Sequence, residues 1–364
     1  MTDETDSRAA ELLHQRRTHL AKGDPVALSL TMTSMFHLPG DPAGFRQYGR
    51  FDNPTWEATE QALGLLEGAP CVAFPSGMAA ISAVFMALLK AGDRILAPSD
   101  GYYTTRMFAD RFLKAFGVTM DTRPTRAFAD GGFAGYRLVF LETPSNPTLD
   151  ICDIAGIAAA ATAAGAIVAV DNTTMTPLGQ RPLALGADIV VSADTKAVNG
   201  HSDALFGHVA TRDAAMLEAI RAWRKLSGAI PGPFEAWQVH RGLETLEVRF
   251  ERMCSSAESI AKRLASRGVA TVYPGLEDHP SHNLAKQQMR RFGFLIGLTL
   301  PSAEAAERFI DGCPLIQPAT SFGGVHTSAE RRARWGDAVA PGFVRLSIGC
   351  EPVEELWRAI DQAL

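Results

Sequence analysis

Short apolar runs alternate with helical patterns through the middle of the chain. Residues 95–97, 138–141, 167–170 and 189–191 are apolar throughout and too short for a helix, as a strand covered on both faces should be. Ahead of the first run apolar residues recur at helical spacing, at Ala83, Met86, Ala87, Leu88 and Leu89, and helical patterns separate the runs. This alternation predicts an α/β fold with a mostly parallel sheet covered by helices. Residues 154–170 are uncharged and rich in alanine, yet short for a membrane span and interrupted by Gly156, Thr162 and Gly165. They read as helix, turn and strand, with Asp153 capping the helix and Gly165 closing it. After the turn-rich GAIPGPFEAW the pattern changes to a long amphipathic helix over about residues 237–267, then to strands such as 294–300. A smaller α+β C-terminal domain fits. Helical periodicity also covers residues 9–20, followed by the irregular TMTSMFHLPGDP, which predicts an arm that needs another surface to order it. The expected division is an arm over 1–47, a large domain over 48–245 and a small one over 246–364.

Composition narrows the classes. The 364 residues are 46% hydrophobic with a net charge of −5, which describes a soluble globular protein with material for a large core. No basic stripe or run of like charge marks a nucleic-acid partner. The start, MTDETDSRAAELLH, is acidic and lacks an apolar stretch, so it reads as neither signal nor transit peptide and points to a cytoplasmic protein without a membrane anchor. Cys71, Cys152, Cys254, Cys313 and Cys350 are odd in number and widely spaced; reduced, mostly buried thiols and no metal site are expected.

Three stretches carry candidate chemistry. In ADIVVSADTKAVNGHSD a lysine, Lys196, follows an apolar strand. At the carboxyl edge of an α/β sheet, partial desolvation lowers an amine's pKa and lets it attack an aldehyde, which makes Lys196 a candidate carrier of pyridoxal phosphate. Upstream, IVAVDNTT ends a second strand on Asp171, a carboxylate placed to keep a pyridine nitrogen protonated. In PSGMAAI, Ser76, Gly77 and Met78 open a helix whose N–H groups and dipole favour a phosphate. Each also has a plain structural reading: a surface lysine, a turn aspartate and an ordinary strand-to-helix turn.

Read in order, YGRFDNPT, PSGMAA, Asp100 with Tyr102, ETPSNPTL, VDNT, TKAVNGHSD, RGLETL and FVRLSIG resemble the pyridoxal-phosphate enzymes of cysteine and methionine metabolism. That family includes cystathionine γ-lyase and γ-synthase, methionine γ-lyase and the homoserine-ester sulfhydrylases. The resemblance implies the aminotransferase-like fold type I, with the cofactor in the large domain, and a homotetramer built as a dimer of active dimers. Lys196 is then the carrier and proton shuttle, Asp171 the partner of the ring nitrogen, and Ser76, Gly77, Met78 and Thr195 the phosphate contacts. Tyr102 stacks on the ring and passes protons near the leaving group, and Asn146 bonds the ring hydroxyl oxygen. Tyr48 and Arg50 reach the partner subunit's cofactor phosphate. Arg345, a charge inside a strand-like run, meets either the substrate α-carboxylate or a structural glutamate. Ser321 and His326 are further substrate-side contacts, and Glu142 supports the loop.

Four departures bear on function. The family's SxTK is here Ala193, Asp194, Thr195 and Lys196, so a serine hydroxyl is missing; Ser192, one position early, should face away. The new carboxylate of Asp194 is a candidate to face the lysine. YYTT, with Tyr103, replaces the usual small residues after Tyr102, His326 stands where γ-type enzymes commonly carry glutamate, and AERRARWGD replaces the usual HPASMTH text. The expected activity is cystathionine γ-lyase-type elimination. γ-Replacement on an activated homoserine comes second, then β-elimination, and last an aminotransferase or a non-catalytic pyridoxal-phosphate binder.

Overall fold

The apolar runs form the spine of a seven-stranded sheet in the computed structural model, which describes residues 2–364. Its strands are β1 (Cys71–Phe74), β2 (Arg94–Pro98), β3 (Thr119–Arg123), β4 (Leu138–Glu142), β5 (Ile167–Asp171), β6 (Ile189–Ser192) and β7 (Gly207–Thr211), in the order β1-β7-β6-β5-β4-β2-β3. Only β7 runs against its neighbours. Successive residues explain the unbroken apolar runs. Leu138, Phe140, Ile167 and Ala169 enter one core, and Val139, Leu141, Val168 and Val170 enter another on the opposite face. Helix Ile154–Ala163 starts where Asp153 Oδ1 accepts from Gly156 N at 3.0 Å, and Gly165, at φ +81°, returns the chain to β5. Because β1, β4, β5 and β6 point the same way, their carboxyl ends open on one edge.

A second sheet comprises β8 (Ala270–Val272), β9 (Leu295–Thr299), β10 (Gln317–Pro318), β11 (Ser328–Arg331) and β12 (Phe343–Ser347), ordered β10-β11-β12-β9-β8. Ile296, Leu298, Val344 and Leu346 pack against helices Ala303–Gly312 and Val353–Ala363 and the C-terminal half of helix Leu246–Ser266.

Two helical expectations change. The long helix over 237–267 is two, Pro233–Leu243 and Leu246–Ser266, with the break at Glu244 and Thr245. The break has a use: Arg249, one turn into the second helix, donates to the carbonyls of Ala197, Val198 and Gly242 at 2.7–3.0 Å. The first helix meanwhile lies so close that a Cβ on Gly242 would sit 2.6 Å from Asn199 O. The lysine loop is therefore clamped by both. At the amino end the helix is Thr2–Leu12, with a single 3₁₀ turn at Arg17–His19, because Leu12 enters the core and Arg8 donates to Leu65 O at 3.1 Å. The following stretch is irregular, and Val26, Met32, Met35 and Phe45 are 69–82% exposed. Among the described residues no helix is long and apolar enough to cross a membrane, and all five cysteines are free.

Candidate active site

The two sheets face each other across a cavity of about 430 Å³. Lys196 projects into it from the turn after β6, where the Arg249 clamp holds the backbone, and its Nζ donates to Ser321 Oγ at 2.9 Å, 4.9 Å from the centre of the Phe322 ring. Burial, and then the Arg345 charge, pull the amine down to about 8, against the opposing attraction of Asp171 and Glu330. An amine in that range is a usable nucleophile and base near neutrality. Cofactor uptake by the cofactor-free protein is therefore expected to rise with pH through about 8, read as the growth rate of the lysine-linked visible band. Arg345→Gln should move that midpoint upward, since it removes a neighbouring cation; a wild-type midpoint at the ordinary lysine value of 10.5 would mean a solvated amine.

Asp171 and Glu142 are register partners at the ends of β5 and β4. Asp171 accepts from Thr173 N at 2.9 Å, and burial pushes its carboxyl up. Burial, then the Asp171 charge, push Glu142 up to about 8 while it accepts from Tyr102 N at 2.6 Å. Glu142 thus holds the tyrosine loop rather than the Asn146 loop that follows it in sequence. Tyr102 lines the cavity with Tyr103 set edge-on against it, ring centroids 5.4 Å apart.

The third wall is the opening of helix Gly77–Leu88. Ser76 Oγ accepts from Ala79 N at 3.1 Å, while the N–H groups of Gly77 and Met78 belong to the first turn, which has no intrahelical acceptors. A Cβ at Gly77 would stand 2.5 Å from Ala193 Cβ, so the turn closes directly on the strand-end residue that replaces serine. Ala193 N donates to Thr173 Oγ1 at 2.8 Å, and Thr173 and Thr174, which the sequence reading did not single out, line this wall. Thr195 lines it too, but its hydroxyl donates to Phe206 O at 3.2 Å. The Ser192 hydroxyl is buried outside the cavity.

Arg345, only 3% exposed, enters from β12. Its Nη1 donates to Asn146 Oδ1 at 2.8 Å, and its Nη2 to Thr320 O at 2.7 Å and Glu330 Oε2 at 3.2 Å. The glutamate partner considered from sequence is thus present. A guanidinium has five N–H protons, so two remain for a ligand carboxylate. The Asn146 amide NH₂ is likewise left as a donor.

Four candidates lie elsewhere. His326 is exposed and does not line the cavity, its backbone packed on Gly349. Tyr48 and Arg50 are also outside, Arg50 donating to Lys225 O. Asp194 points away from the lysine: its carboxylate meets His208 Nδ1 at 2.9 Å, and His208 Nε2 meets Glu67 at 3.3 Å. Burial pulls this imidazole down, but Asp194 and then Glu67 outweigh it and hold it up at about 10. The reason is long-range, since Glu67 and His208 come from a helix end and from β7.

An amine carrier, a partly buried carboxylate and a helix N-terminus around one cavity are the donor set that pyridoxal phosphate needs: a covalent anchor, a partner for the ring nitrogen and a phosphate cradle. Fold and site together define a fold-type I pyridoxal-phosphate enzyme. Residues 10–364 match the model of the Cys/Met metabolism PLP-dependent enzyme family, and the chain belongs to it. A Streptomyces coelicolor relative carrying the provisional name cystathionine gamma-lyase is 49% identical over 354 residues, 94% of this chain and 90% of that one. The cystathionine beta-lyase of Lactococcus lactis is 37% identical, covering 89% and 90%. A crystal structure of cystathionine gamma synthase from Xanthomonas oryzae with aminoacrylate and cysteine superposes with a TM-score of 0.92 at 32% identity, covering 98% and 97%.

Proposed function

We propose that this chain is a carbon–sulfur lyase of the cystathionine γ-lyase type. The observation that carries the reading is Lys196: a half-buried amine of lowered basicity, shared between the cavity that also holds Asp171 and the Ser321 hydroxyl beside Arg345. When bound, the cofactor supplies the electron sink that makes a Cα proton removable. Arg345 fixes the α-carboxylate and so turns Cα toward Lys196 Nζ, which takes that proton and carries it along the substrate. Asp171 would keep a proton on the ring nitrogen, Asn146 would bond the ring oxygen, and Ser76, Gly77 and Met78 would hold the phosphate, with Thr195 on the same wall. Tyr102 supplies a proton to the departing sulfur. The 49% identical relative favours γ-elimination over replacement.

Incubation with L-cystathionine is expected to give 2-oxobutanoate, cysteine and ammonia. Pyruvate would instead mean β-elimination, a new thioether from a homoserine ester would mean replacement, and stoichiometric conversion of the cofactor to its amine form would mean an aminotransferase.

The exposed apolar residues of the arm support self-association. We read residues 1–47 as the arm against a partner subunit, 48–245 as the cofactor domain and 246–364 as the small domain. Tyr48 and Arg50, outside their own cavity, complete the partner subunit's phosphate site in a cytoplasmic homotetramer.

A further inference from the structure

Three cationic side chains line the cavity: Lys196, Arg345 and Arg332. The first two have tasks. Arg332 lies on the 3₁₀ turn Arg332–Trp335, in the segment that departs most from the family text, and it is only 8% exposed. Its Nε donates to Asp337 Oδ2 at 2.7 Å and its Nη1 to Glu330 Oε2 at 2.6 Å, with Nη2 also 2.7 Å from Asp337. Three of five protons are used, so the guanidinium is oriented and still has two to offer. Trp335, at the other end of the turn, donates its indole N–H to Glu330 Oε1 at 2.5 Å. Its ring remains 54% exposed at the cavity wall.

Glu330 ties these parts together. Fully buried on β11, it accepts from Arg345, Arg332 and Trp335, and Arg334 approaches it at 3.5 Å. Three guanidiniums against Glu330 and Asp337 leave the cluster with a net charge of +1. An excess positive charge in a partly desolvated wall favours an anion. Arg332 and Arg345 donate to the same Glu330 Oε2, at 2.6 and 3.2 Å, so the two guanidiniums stand side by side, Arg345 against Thr320 next to Ser321 and Arg332 on the turn that carries Trp335.

We infer that Arg332 and Trp335 form a second subsite, which receives the far end of the substrate and selects amino acids whose side chain ends in a carboxylate. Trp335 covers the methylene and thioether chain with its ring face, and Arg332 bonds the terminal carboxylate through its two remaining protons. Glu330 sets both, as a positioning residue. The subsite rests on the amino-acid-lyase reading above.

Binding of two unreactive six-carbon amino acids tests it: L-2-aminoadipate, with a terminal carboxylate, and L-norleucine, with a methyl. Each is titrated into the holoenzyme while the lysine-linked visible band is followed. Arg332→Gln is expected to weaken aminoadipate about 10- to 100-fold, and norleucine by no more than about twofold. Asp337→Asn, which removes a competitor for the same guanidinium, should tighten aminoadipate, an effect opposite in sign that misfolding does not imitate. Equal weakening of both ligands, or of neither, overturns the subsite. If cystathionine is not cleaved at Cγ while the aminoadipate preference still depends on Arg332, the reaction assignment falls and the subsite stands.

Discussion

Lys196→Ala is expected to abolish turnover, with a loss of at least about 10⁴-fold, and to leave the protein without its lysine-linked visible band. On the proposed mechanism two functions vanish with one side chain, since the same Nζ would anchor the cofactor and take the Cα proton. The fold should survive. The side chain's own hydrogen bond is the one to Ser321, whereas the loop backbone is held by Arg249 through the carbonyls of Ala197 and Val198. Circular dichroism and the melting temperature of the cofactor-free protein should thus match wild type. Lys196→Arg is a sharper control, for it keeps the positive charge and cannot carry the aldehyde. Substantial turnover by either variant, or a surviving band that borohydride still bleaches, would remove Lys196 from the chemistry.

Much of this arrangement was legible because it is local. The strands ending at Glu142, Asp171 and Ser192 are apolar on both faces, so periodicity and length alone reveal them, and the polar residue closing each run marks the sheet edge. Asp153 and Gly165 act through bonds and torsions within a few residues. Less local features were missed. Strand β7 carries a glycine and His208, which look wrong for a buried strand until Glu67 and Asp194 arrive from elsewhere; a Cβ on Gly207 would stand 2.7 Å from the backbone of Ser76. Edge strand β3, TMDTR, is polar at all but Met120 because one side lacks a neighbour. The helix break at Thr245 follows from what Arg249 must reach, and no breaker residue announces it. Arg332 and Trp335 were visible only as an unexplained segment, since their direction depends on Glu330, a residue whose burial follows from the second sheet.

Arg345 yields the second large effect because its surroundings admit no substitute. Arg345→Leu should lower kcat/KM for cystathionine about 10²- to 10³-fold, with most of the change in KM, since the α-carboxylate then faces a wall without its guanidinium. Part of the loss should appear in kcat, as an unanchored Cα is presented less often to Lys196. Stability should change less than removal of a buried charge usually implies, because Glu330 keeps Arg332 and Trp335 as donors. Arg345→Lys should recover little: an ammonium is a point charge on a flexible stem and cannot serve Asn146, Thr320, Glu330 and a carboxylate at once. The pH profile separates this from a general disturbance. Arg345 helps hold the Lys196 amine down, so the leucine variant should raise the midpoint of cofactor uptake while lowering affinity for both aminoadipate and norleucine. Near-normal kcat/KM in Arg345→Leu would show that the guanidinium serves only Glu330, as the structural ion pair that a charge inside a strand also permits.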